Sequence, residues 1–437
     1  MSEAIGRGRV AVVGAGVVGM TTALALQRQG LAVTVLDPRG PGEGASYGNA
    51  GFLATELIDP LSTPAMLREA PRLWLDPHGP LALPWRYLPR LAPWLARFLV
   101  AAMPPRVRRG RGALAALNAA SVPAWRRCLA DIGAEEELVA SGYLLVWESP
   151  KGREAAGARM AHLRRWGHEV EWLEGEALRA REPGLSGELS HGLFFPGAHQ
   201  VRDPYALVRR LADAYRARGG EIRQASVERL EPRDAGVRLH TDQGELDMAQ
   251  AVVAAGAWSH RLAAGVGLSI PLETERGYHL TLPGRGQALR QPVGSAERRF
   301  VMTPMDCGLR VVGFTELGGL SLPPVARRYD SLRHHAGALL ADDRGLDESA
   351  EAWMGFRPTL PDSLPVIDTH PAYPAVHFAF GHQHLGLTQA AITAELVAAR
   401  VAGETPALEL GPYRVTRFAR RPARRAGSAL ASTPSSP

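Results

Sequence analysis

The chain has 437 residues, of which 46% are hydrophobic and 22% are charged. This length exceeds that of a usual single domain and the composition is that of a soluble globular protein, so we expect two domains with large cores. The sequence has no uncharged apolar run of about 18 residues, which argues against a membrane-spanning helix.

The net charge of +6 comes almost entirely from arginine, because Lys151 is the only lysine. Positive charge without a recognition motif does not predict nucleic-acid binding. Cysteines and histidines do not occur at metal-ligand spacing, so we expect no metal. The two cysteines, Cys128 and Cys307, suit a reducing compartment, and the few polar residues before the first strand contain no signal core. We therefore expect a cytoplasmic protein.

The first predicted elements are a buried strand over Arg9 to Val13, a glycine turn, a helix over Val17 to Gln29 and a second strand over Val33 to Asp37. In such a unit the helix N-terminus presents free N–H groups and a partial positive charge to an anion. The strand, turn, helix and terminal acid follow one another in the order of a dinucleotide-binding unit. They predict a dinucleotide site rather than a purely structural βαβ unit.

Each glycine of this turn has a separate task. Gly14 permits the turn, Gly16 lets the backbone approach a pyrophosphate, and Gly19 lets the helix lie close to the strand. Asp37 suits the hydroxyls of an adenosine ribose. Arg39 leaves a 2′-phosphate open as the alternative.

Two segments of unusual composition follow. The small residues from Gly44 to Phe52 would let backbone approach a flat ligand, although an ordinary surface loop has the same composition. Residues 61–112 are rich in Trp, Leu, Pro and Arg. They suit either a helical surface at the headgroup level of a membrane or packing against the second domain with a solvated basic edge.

The middle of the chain contains predicted elements of the second domain, followed by elements like those of the first βαβ unit. The predicted elements of the second domain are a helix at 114–132, a strand at 143–147 and a charged helical stretch at 151–181. Asp203 and Pro204 then predict a helix start, with Gly219 and Gly220 at its end. Further predicted strands cover 221–225, 251–255, 278–282 and 310–315, and a hairpin turns at 242–244.

Near the C-terminus, the prolines of the segment from Gly355 to Asp362 predict a rigid loop that presents Arg357. Its guanidinium offers a bidentate fork for a substrate carboxylate, and a structural salt bridge is the alternative. A strand from Val376 to Phe380 leads through glycines into a helix that ends near Val401. His382 and His384 lie at that junction, as turn residues or as ligand contacts.

Together these residues resemble the superfamily of FAD-dependent D-amino-acid dehydrogenases and oxidases, which includes glycine and sarcosine oxidases. Residues 61–112 resemble the dehydrogenase branch in particular. Five ordered pieces carry the resemblance, namely residues 13–19, 45–51, 254–259, 355–358 and 381–386.

The resemblance implies an α/β fold in which a Rossmann-type FAD-binding domain is interleaved with an α+β substrate domain on a mostly antiparallel sheet. The implied FAD-binding domain comprises residues 1–60, 203–265 and 350–415. The substrate domain comprises residues 61–202 and 266–349, and residues 416–437 form a disordered basic tail. FAD is expected to bind without a covalent bond, because the sequence has no cysteine near Phe356.

The candidate catalytic residues are Arg357, Tyr278 and His384. The candidate cofactor contacts, from the glycine turn and the resemblance together, are Gly14, Gly16, Val17, Val18, Gly19, Asp37, Pro38, Arg39, Ala45, Ser46, Asn49, Ala50, Gly51, Val227, Ala255, Gly256, Trp258, Arg357, Gly381, His382, His384, Leu385, Gly386, Leu387 and Thr388.

The implied reaction is oxidation of a D-amino acid, with hydride transfer from the α-carbon to flavin N5. The imino acid is then hydrolysed, and the electrons pass to a quinone or another acceptor. A secondary amine such as D-proline, hydroxy-D-proline, sarcosine or glycine is an alternative substrate. A nicotinamide-dependent reductase and a membrane-associated binding module are alternatives of other classes. The enzyme is expected in the cytoplasm, with contact to the inner face of the membrane as a further possibility.

Overall fold

The computed structural model describes residues 8–344, 346 and 350–419. The helices are α1 (Val17–Arg28), α2 (Pro64–Leu75), α3 (Leu88–Ala101), α4 (Pro104–Asp131), α5 (Arg153–Arg165), α6 (Gly175–Arg181), α7 (Pro204–Ala217), α8 (Ser259–Gly265), α9 (Ala326–Leu339) and α10 (Gly386–Ala402). The strands are β1 (Arg9–Val13), β2 (Ala32–Asp37), β3 (Phe52–Leu53), β4 (Leu81–Ala82), β5 (Leu138–Val139), β6 (Tyr143–Trp147), β7 (Glu171–Glu174), β8 (His191–Phe195), β9 (His199–Val201), β10 (Glu221–Gln224), β11 (Val227–Arg233), β12 (Gly236–Thr241), β13 (Gly244–Met248), β14 (Gln250–Val253), β15 (Glu273–Leu282), β16 (Val293–Ser295), β17 (Phe300–Met305), β18 (Gly308–Leu317), β19 (Glu351–Thr359), β20 (Val366–Thr369) and β21 (Val376–Phe380).

The first glycine turn belongs to a sheet with the strand order β10-β2-β1-β14-β21-β20, which we call the nucleotide sheet. Strand β1 pairs in parallel with β2 and β14, while β20 joins β21 in the antiparallel sense. Residues 10–13 of β1 are buried, as expected for a parallel strand covered on both faces. Helices α1 and α10 pack together against one face of the sheet.

A second, mostly antiparallel sheet has the order β19-β15-β18-β17-β16-β6-β8-β7, with β4 beside β18; we call it the large sheet. Its core includes Leu280, Met302 and Val311, all fully or almost fully buried, and Leu332 of α9 packs on them. Two three-stranded sheets, β11-β12-β13 and β3-β9-β5, accompany these two, and the mixed α/β architecture confirms the predicted fold class.

Several predicted elements are present with nearly the predicted bounds, including β6, β21 and the helix after Asp203. The Asp203 carboxylate accepts hydrogen bonds from the backbone N–H groups of Tyr205 and Ala206, at 2.7 and 2.9 Å, and so caps α7. The single helix predicted over 151–181 is wrong, because β7 separates α5 from α6. Gly167, at φ 84°, lies just after α5, and Trp172 of β7 stacks on His191.

The loop predicted around Arg357 is instead strand β19, which pairs with β15. The start of the segment 350–415 therefore contributes to the large sheet and not to the nucleotide sheet. Proline suggested a loop because it lacks a backbone N–H. Strand β19 lies at the edge of the large sheet, where Pro358 is tolerated because the strand has one free side.

The predicted disordered tail begins too early. Residues 415–418 form a 3₁₀ turn, and the guanidinium of Arg417 pairs with the Asp362 carboxylate at 2.8 Å. Residues 420–437 of the predicted tail lie outside the described residues.

One helical stretch in the described part of the chain, Gln383–Ala402, is long and apolar enough to cross a membrane. In the most apolar part of this stretch, 72% is buried inside the protein. Helix α10 is therefore a core helix that packs on the nucleotide sheet.

Glu56, just after β3, is an ionisable residue enclosed by the core, with only 4% of its surface exposed. Burial raises the pKa of its carboxyl from 4.5 to about 7, and Arg159 opposes this only in part. The native state therefore holds this proton more tightly than the unfolded chain does. The stability that the carboxyl contributes is greatest below about pH 4.5 and falls as the pH rises to about 7.

We expect Glu56→Gln to remove this pH dependence. Between about pH 5 and about pH 8 the wild type should lose about 2–3 kcal/mol of unfolding free energy that the variant retains. Denaturant unfolding of both proteins at the two pH values measures the difference. The matched control is Glu188→Gln, at an exposed site, which should follow the wild type. Parallel pH profiles for Glu56→Gln and the wild type would contradict the prediction.

Candidate active site

A cavity of about 870 Å³ lies where the carboxyl ends of β1, β2, β14 and β21 meet the large sheet, within the size range of cofactor sites. Strands β15, β18 and β19 contribute to its other side. The predicted residues that line it are Gly14, Gly16, Val17, Val18, Asp37, Pro38, Arg39, Ala45, Ser46, Asn49, Ala50, Val227, Ala255, Gly256, Trp258, Arg357, Gly381, His382, His384, Gly386 and Leu387.

The glycine turn has no room for side chains. A Cβ on Gly14, at φ 111°, would lie 2.5 Å from the Ala254 carbonyl oxygen. A Cβ on Gly19 would lie 1.9 Å from the Gly14 carbonyl oxygen. Gly19 thus acts as predicted through the contact of α1 with the turn, although it does not itself line the cavity.

The Asp37 carboxylate organises the same end of the cavity. It accepts a hydrogen bond from the Ala15 N–H at 2.9 Å and others from the N–H groups of Arg39 and Gly40. The Arg39 guanidinium lies 5.7 Å from the centre of the Trp258 ring. The Asp37 carboxylate and the pair formed by Arg39 and Trp258 therefore line the same cavity.

The small-residue segment after β2 lies along the cavity and is tied to both domains. The Ser46 hydroxyl accepts a hydrogen bond from the Val17 N–H, at the first residue of α1, at 2.9 Å. Arg310 of β18 donates to the carbonyls of Tyr47 and Asn49 at 3.0 and 3.2 Å. This supports the prediction of a ligand-facing segment over that of a free surface loop.

Arg357 lies on the large-sheet side of the cavity, with a fifth of its side chain exposed. Its Nη1 donates to the Glu275 carboxylate at 2.8 Å and to the Phe314 carbonyl at 3.1 Å. The two readings of Arg357 are therefore not exclusive, because the guanidinium forms a salt bridge and also faces the cavity.

The two histidines at the start of α10 differ. His382 is buried, its Nε2 lies 3.0 Å from the Thr393 hydroxyl, and burial lowers its pKa to about 3. Burial also lowers the pKa of His384, with Glu275 opposing the shift and Arg357 adding to it. Both rings are thus neutral at physiological pH, and His384 shares the electrostatic surroundings of Arg357.

Tyr278 does not line the cavity, so its prediction as a pocket residue is wrong. Its hydroxyl donates to the Glu316 carboxylate at 3.2 Å, inside the large sheet. Side chains alternate along a strand, and the neighbouring Gly277 faces the cavity instead.

Gly51, Leu385 and Thr388 also lie outside the cavity lining. Gly51 packs against Met305, where a Cβ would lie 2.4 Å from the methionine methyl carbon. Leu385 belongs to the core around α10, and the Thr388 hydroxyl accepts a hydrogen bond from the Ala54 N–H at 3.0 Å. These three residues support the cavity wall from behind.

The sequence reasoning missed Trp353, which lies against Gly48 and Gly355 of the predicted segments 45–51 and 355–358. A Cβ on Gly48 or on Gly355 would lie 1.9 Å from the Trp353 ring. It also missed Glu275, which faces Arg357 directly in the antiparallel pairing of β15 and β19. The sequence of residues 273–282 has the pattern of a strand. It shows which of these residues lie near Arg357 only when the partner strand is known.

The chain resembles known proteins over nearly its whole length. The profile of the DAO family, described as FAD dependent oxidoreductase, matches residues 9–400. A D-amino-acid oxidase of Bradyrhizobium diazoefficiens is 35% identical over 417 residues, which cover 94% of this chain and 98% of that protein. A D-amino acid dehydrogenase of a Methylobacterium species is 32% identical over 423 residues, 94% of this chain and 99% of that protein.

The fold has counterparts among solved structures. The crystal structure of glycine oxidase from Geobacillus kaustophilus matches with a TM-score of 0.70 at 25% sequence identity, covering 94% of this chain and 99% of that one. This protein belongs to the DAO family of FAD-dependent oxidoreductases. FAD is its cofactor, which excludes the nicotinamide-dependent reductase and the non-catalytic module.

The residues present fit FAD. The crowded glycine turn and Asp37 suit the pyrophosphate and ribose, because they leave backbone N–H groups and a carboxylate in place of side-chain bulk. The N-terminus of α10, with Gly386 and Leu387 on the cavity, offers N–H donors to an electron-rich ring. Neither Cys128 nor Cys307 lines the cavity, so we expect FAD to be removable without breaking a covalent bond.

We expect Gly19→Ala to weaken FAD binding by at least about tenfold, because the new methyl group pushes α1 away from the turn. Titration of the apoprotein with FAD, followed by flavin fluorescence, measures Kd. The control is Gly157→Ala on α5, where a Cβ meets nothing within 4 Å. A folded Gly19→Ala variant, as judged by circular dichroism, with a wild-type Kd would contradict the prediction.

Proposed function

We propose that this enzyme oxidises D-amino acids. The observation that carries the proposal is an arginine fork on the wall that the large sheet contributes to the cavity. The two relatives above are named for D-amino acids and extend over nearly the whole chain. An amino acid presents a carboxylate to such a fork and its α-carbon to the centre of the cavity.

The protein's own residues bind and orient the substrate. Arg357 holds the carboxylate, which fixes the position of the α-carbon. His384 is neutral and lies beside this site, so it can accept or donate a hydrogen bond without adding charge. FAD, when bound, accepts the two electrons released as the Cα–N bond becomes an imine. Water then hydrolyses the imino acid to a 2-oxo acid and ammonia.

A substrate panel tests the proposal directly. Under anaerobic conditions we expect D-amino acids, and not their L-enantiomers, to bleach the flavin absorbance of the holoenzyme. D-Proline, sarcosine and glycine in the same panel test the secondary-amine alternative, which the fold shared with glycine oxidase makes worth testing. Admission of oxygen then distinguishes an oxidase from a dehydrogenase, and we propose the latter. A flavin that no amino acid bleaches would refute the proposed function.

Arg357→Ala should lower kcat/KM for the best D-amino acid by at least about 100-fold, because a charge-assisted bidentate contact is lost. Arg357→Lys keeps the charge but not the fork, and we expect intermediate activity. Steady-state kinetics with a dye acceptor measures both variants, and flavin content confirms that each is loaded. A loss of only about twofold in Arg357→Ala would remove Arg357 from the site.

We also propose that this enzyme docks on an anionic membrane surface, where a quinone acceptor is within reach. From Pro77 to Ala130 the sequence contains nine arginines and no acidic residue. Leu75, Trp85 and Leu99 in or beside this stretch are 72%, 70% and 56% exposed. Exposed apolar side chains among cations suit the headgroup region of such a membrane.

Six of the nine arginines of this stretch are exposed and available to meet lipid. Arg111 and Arg127 form ion pairs with Asp59 and Glu395. Within the described residues, no ion pair involves the exposed side chains of Arg86, Arg90, Arg97, Arg106, Arg108 or Arg109.

Co-sedimentation with vesicles tests the docking proposal. The holoenzyme should pellet with vesicles that contain phosphatidylglycerol and not with pure phosphatidylcholine. The double variant Trp85→Ser, Leu99→Ser should reduce the bound fraction by about tenfold, since it removes the apolar contact. The control is Trp166→Ser, whose side chain is 41% exposed elsewhere on the protein. Equal binding of the double variant, or equal binding to both lipids, would refute docking through this surface.

A further inference from the structure

Glu275 is a buried carboxylate directly behind the substrate arginine. It is 2% exposed, and it faces Arg357 in the antiparallel pairing of β15 with β19. Burial disfavours its ionisation, but the charge of Arg357 together with the hydrogen bonds from Arg357 and the hydroxyl donors holds the pKa of Glu275 below its ordinary value. The carboxylate is therefore ionised and forms a charge pair with the guanidinium.

Hydrogen bonds to both oxygens hold the Glu275 carboxylate in one position. Oε1 accepts hydrogen bonds from the Thr315 hydroxyl at 2.9 Å and from Arg357 Nη1 at 2.8 Å. Oε2 accepts one from the Thr359 hydroxyl at 3.1 Å. Nη1 of Arg357 also donates to the carbonyl of Phe314, a non-glycine residue held at φ 66°. The pair is thus anchored by three neighbouring strands.

The other edge of the guanidinium is left for a ligand. In the described part of the chain, Arg357 Nε and Nη2 donate no hydrogen bond. Gly277 makes room for this edge, since a Cβ there would lie 2.3 Å from Nη2 and 2.7 Å from Nε. Nε and Nη2 form the fork that a carboxylate binds.

The charges around this fork sum to zero before substrate binds. Arg357 is positive, Glu275 is negative, and His384 is neutral because burial lowers its pKa. A monocarboxylate would make the site net negative. An amino acid zwitterion brings its own ammonium group and leaves the site neutral. Charges a few ångströms apart in a protein interior interact strongly enough to separate these ligands by about tenfold or more.

We propose that Glu275 is a specificity-determining residue, which cancels the charge of Arg357 so that the site selects zwitterionic amino acids over carboxylic acids of the same shape. This inference rests on the proposed function, because it takes Arg357 as the carboxylate site. Glu275 itself acts through Arg357 and does not contact the substrate.

The test compares D-alanine with propionate, which differs from it by the amino group. Kd for propionate is measured from the change in flavin absorbance of the holoenzyme. Kd for D-alanine is measured from the concentration dependence of anaerobic flavin reduction. Glu275→Gln keeps an oxygen acceptor for Nη1 and removes the charge. We expect it to bind propionate about tenfold more tightly, while Kd for D-alanine changes by less than about threefold.

Two further variants separate charge from structure. Glu275→Asp keeps the charge and should keep the wild-type ratio of the two Kd values. Glu228→Gln removes an exposed charge on the cavity wall formed by β11, beside Val227, and should also leave the ratio unchanged. Parallel weakening of both ligands in Glu275→Gln, or an unchanged ratio, would overturn the proposal.

The proposal stays testable if Glu275→Gln does not fold. The wild type should bind propionate at least about tenfold more weakly than D-alanine, and equal affinities would overturn the proposal. If no D-amino acid reduces the flavin, the proposed function fails separately. Both Kd values are then measured by absorbance with D-alanine as an unreactive ligand, and the charge argument is still decided by their ratio.

Discussion

The pairing of β15 with β19 is the constraint on which the arrangement of this enzyme depends. Strand β19 ends at Thr359, and the chain then passes directly into β20 and β21 of the nucleotide sheet. The same pairing that closes the edge of the large sheet therefore holds that sheet over the FAD cavity. Its register sets Glu275 opposite Arg357 and Gly277 opposite Gly355, so a slip of β19 by a single residue would turn Arg357 and Gly355 to the other face of the sheet.

Two buried arginine pairs on β15 and its neighbours show how similar residues take different roles. Arg276 and Glu316 are both essentially unexposed, and Arg276 also donates to the carbonyls of Leu322 and Pro323. That pair lies inside the large sheet and does not line the cavity. Arg357 lines the cavity, and its guanidinium occupies the space that glycine at 277 provides. Access of the guanidinium to the cavity, rather than residue type, separates the binding arginine from the structural one.

Glycines allow close packing at two places around the cavity. At the nucleotide end, glycines let α1 approach the turn, and Asp37 accepts a hydrogen bond from the Ala15 N–H of the turn. At the substrate end, Gly48 and Gly355 lie against the Trp353 ring. Small residues line both the nucleotide side and the large-sheet side of the cavity, and Arg310 ties the segment between them to the large sheet.

The sequence by itself determined the nucleotide end, because glycine spacing, strand pattern and terminal acid are local features within residues 9–37. It also indicated Arg357, the α10 junction and the family. Only the tertiary structure decided which side of β15 faces the cavity, so it replaced Tyr278 by Gly277 and added Glu275. The physical reason is that a strand's two faces look alike in sequence when both are buried, as they are along Thr274 to Leu282. The partner strand and its register, which join residues about 80 positions apart, make the distinction.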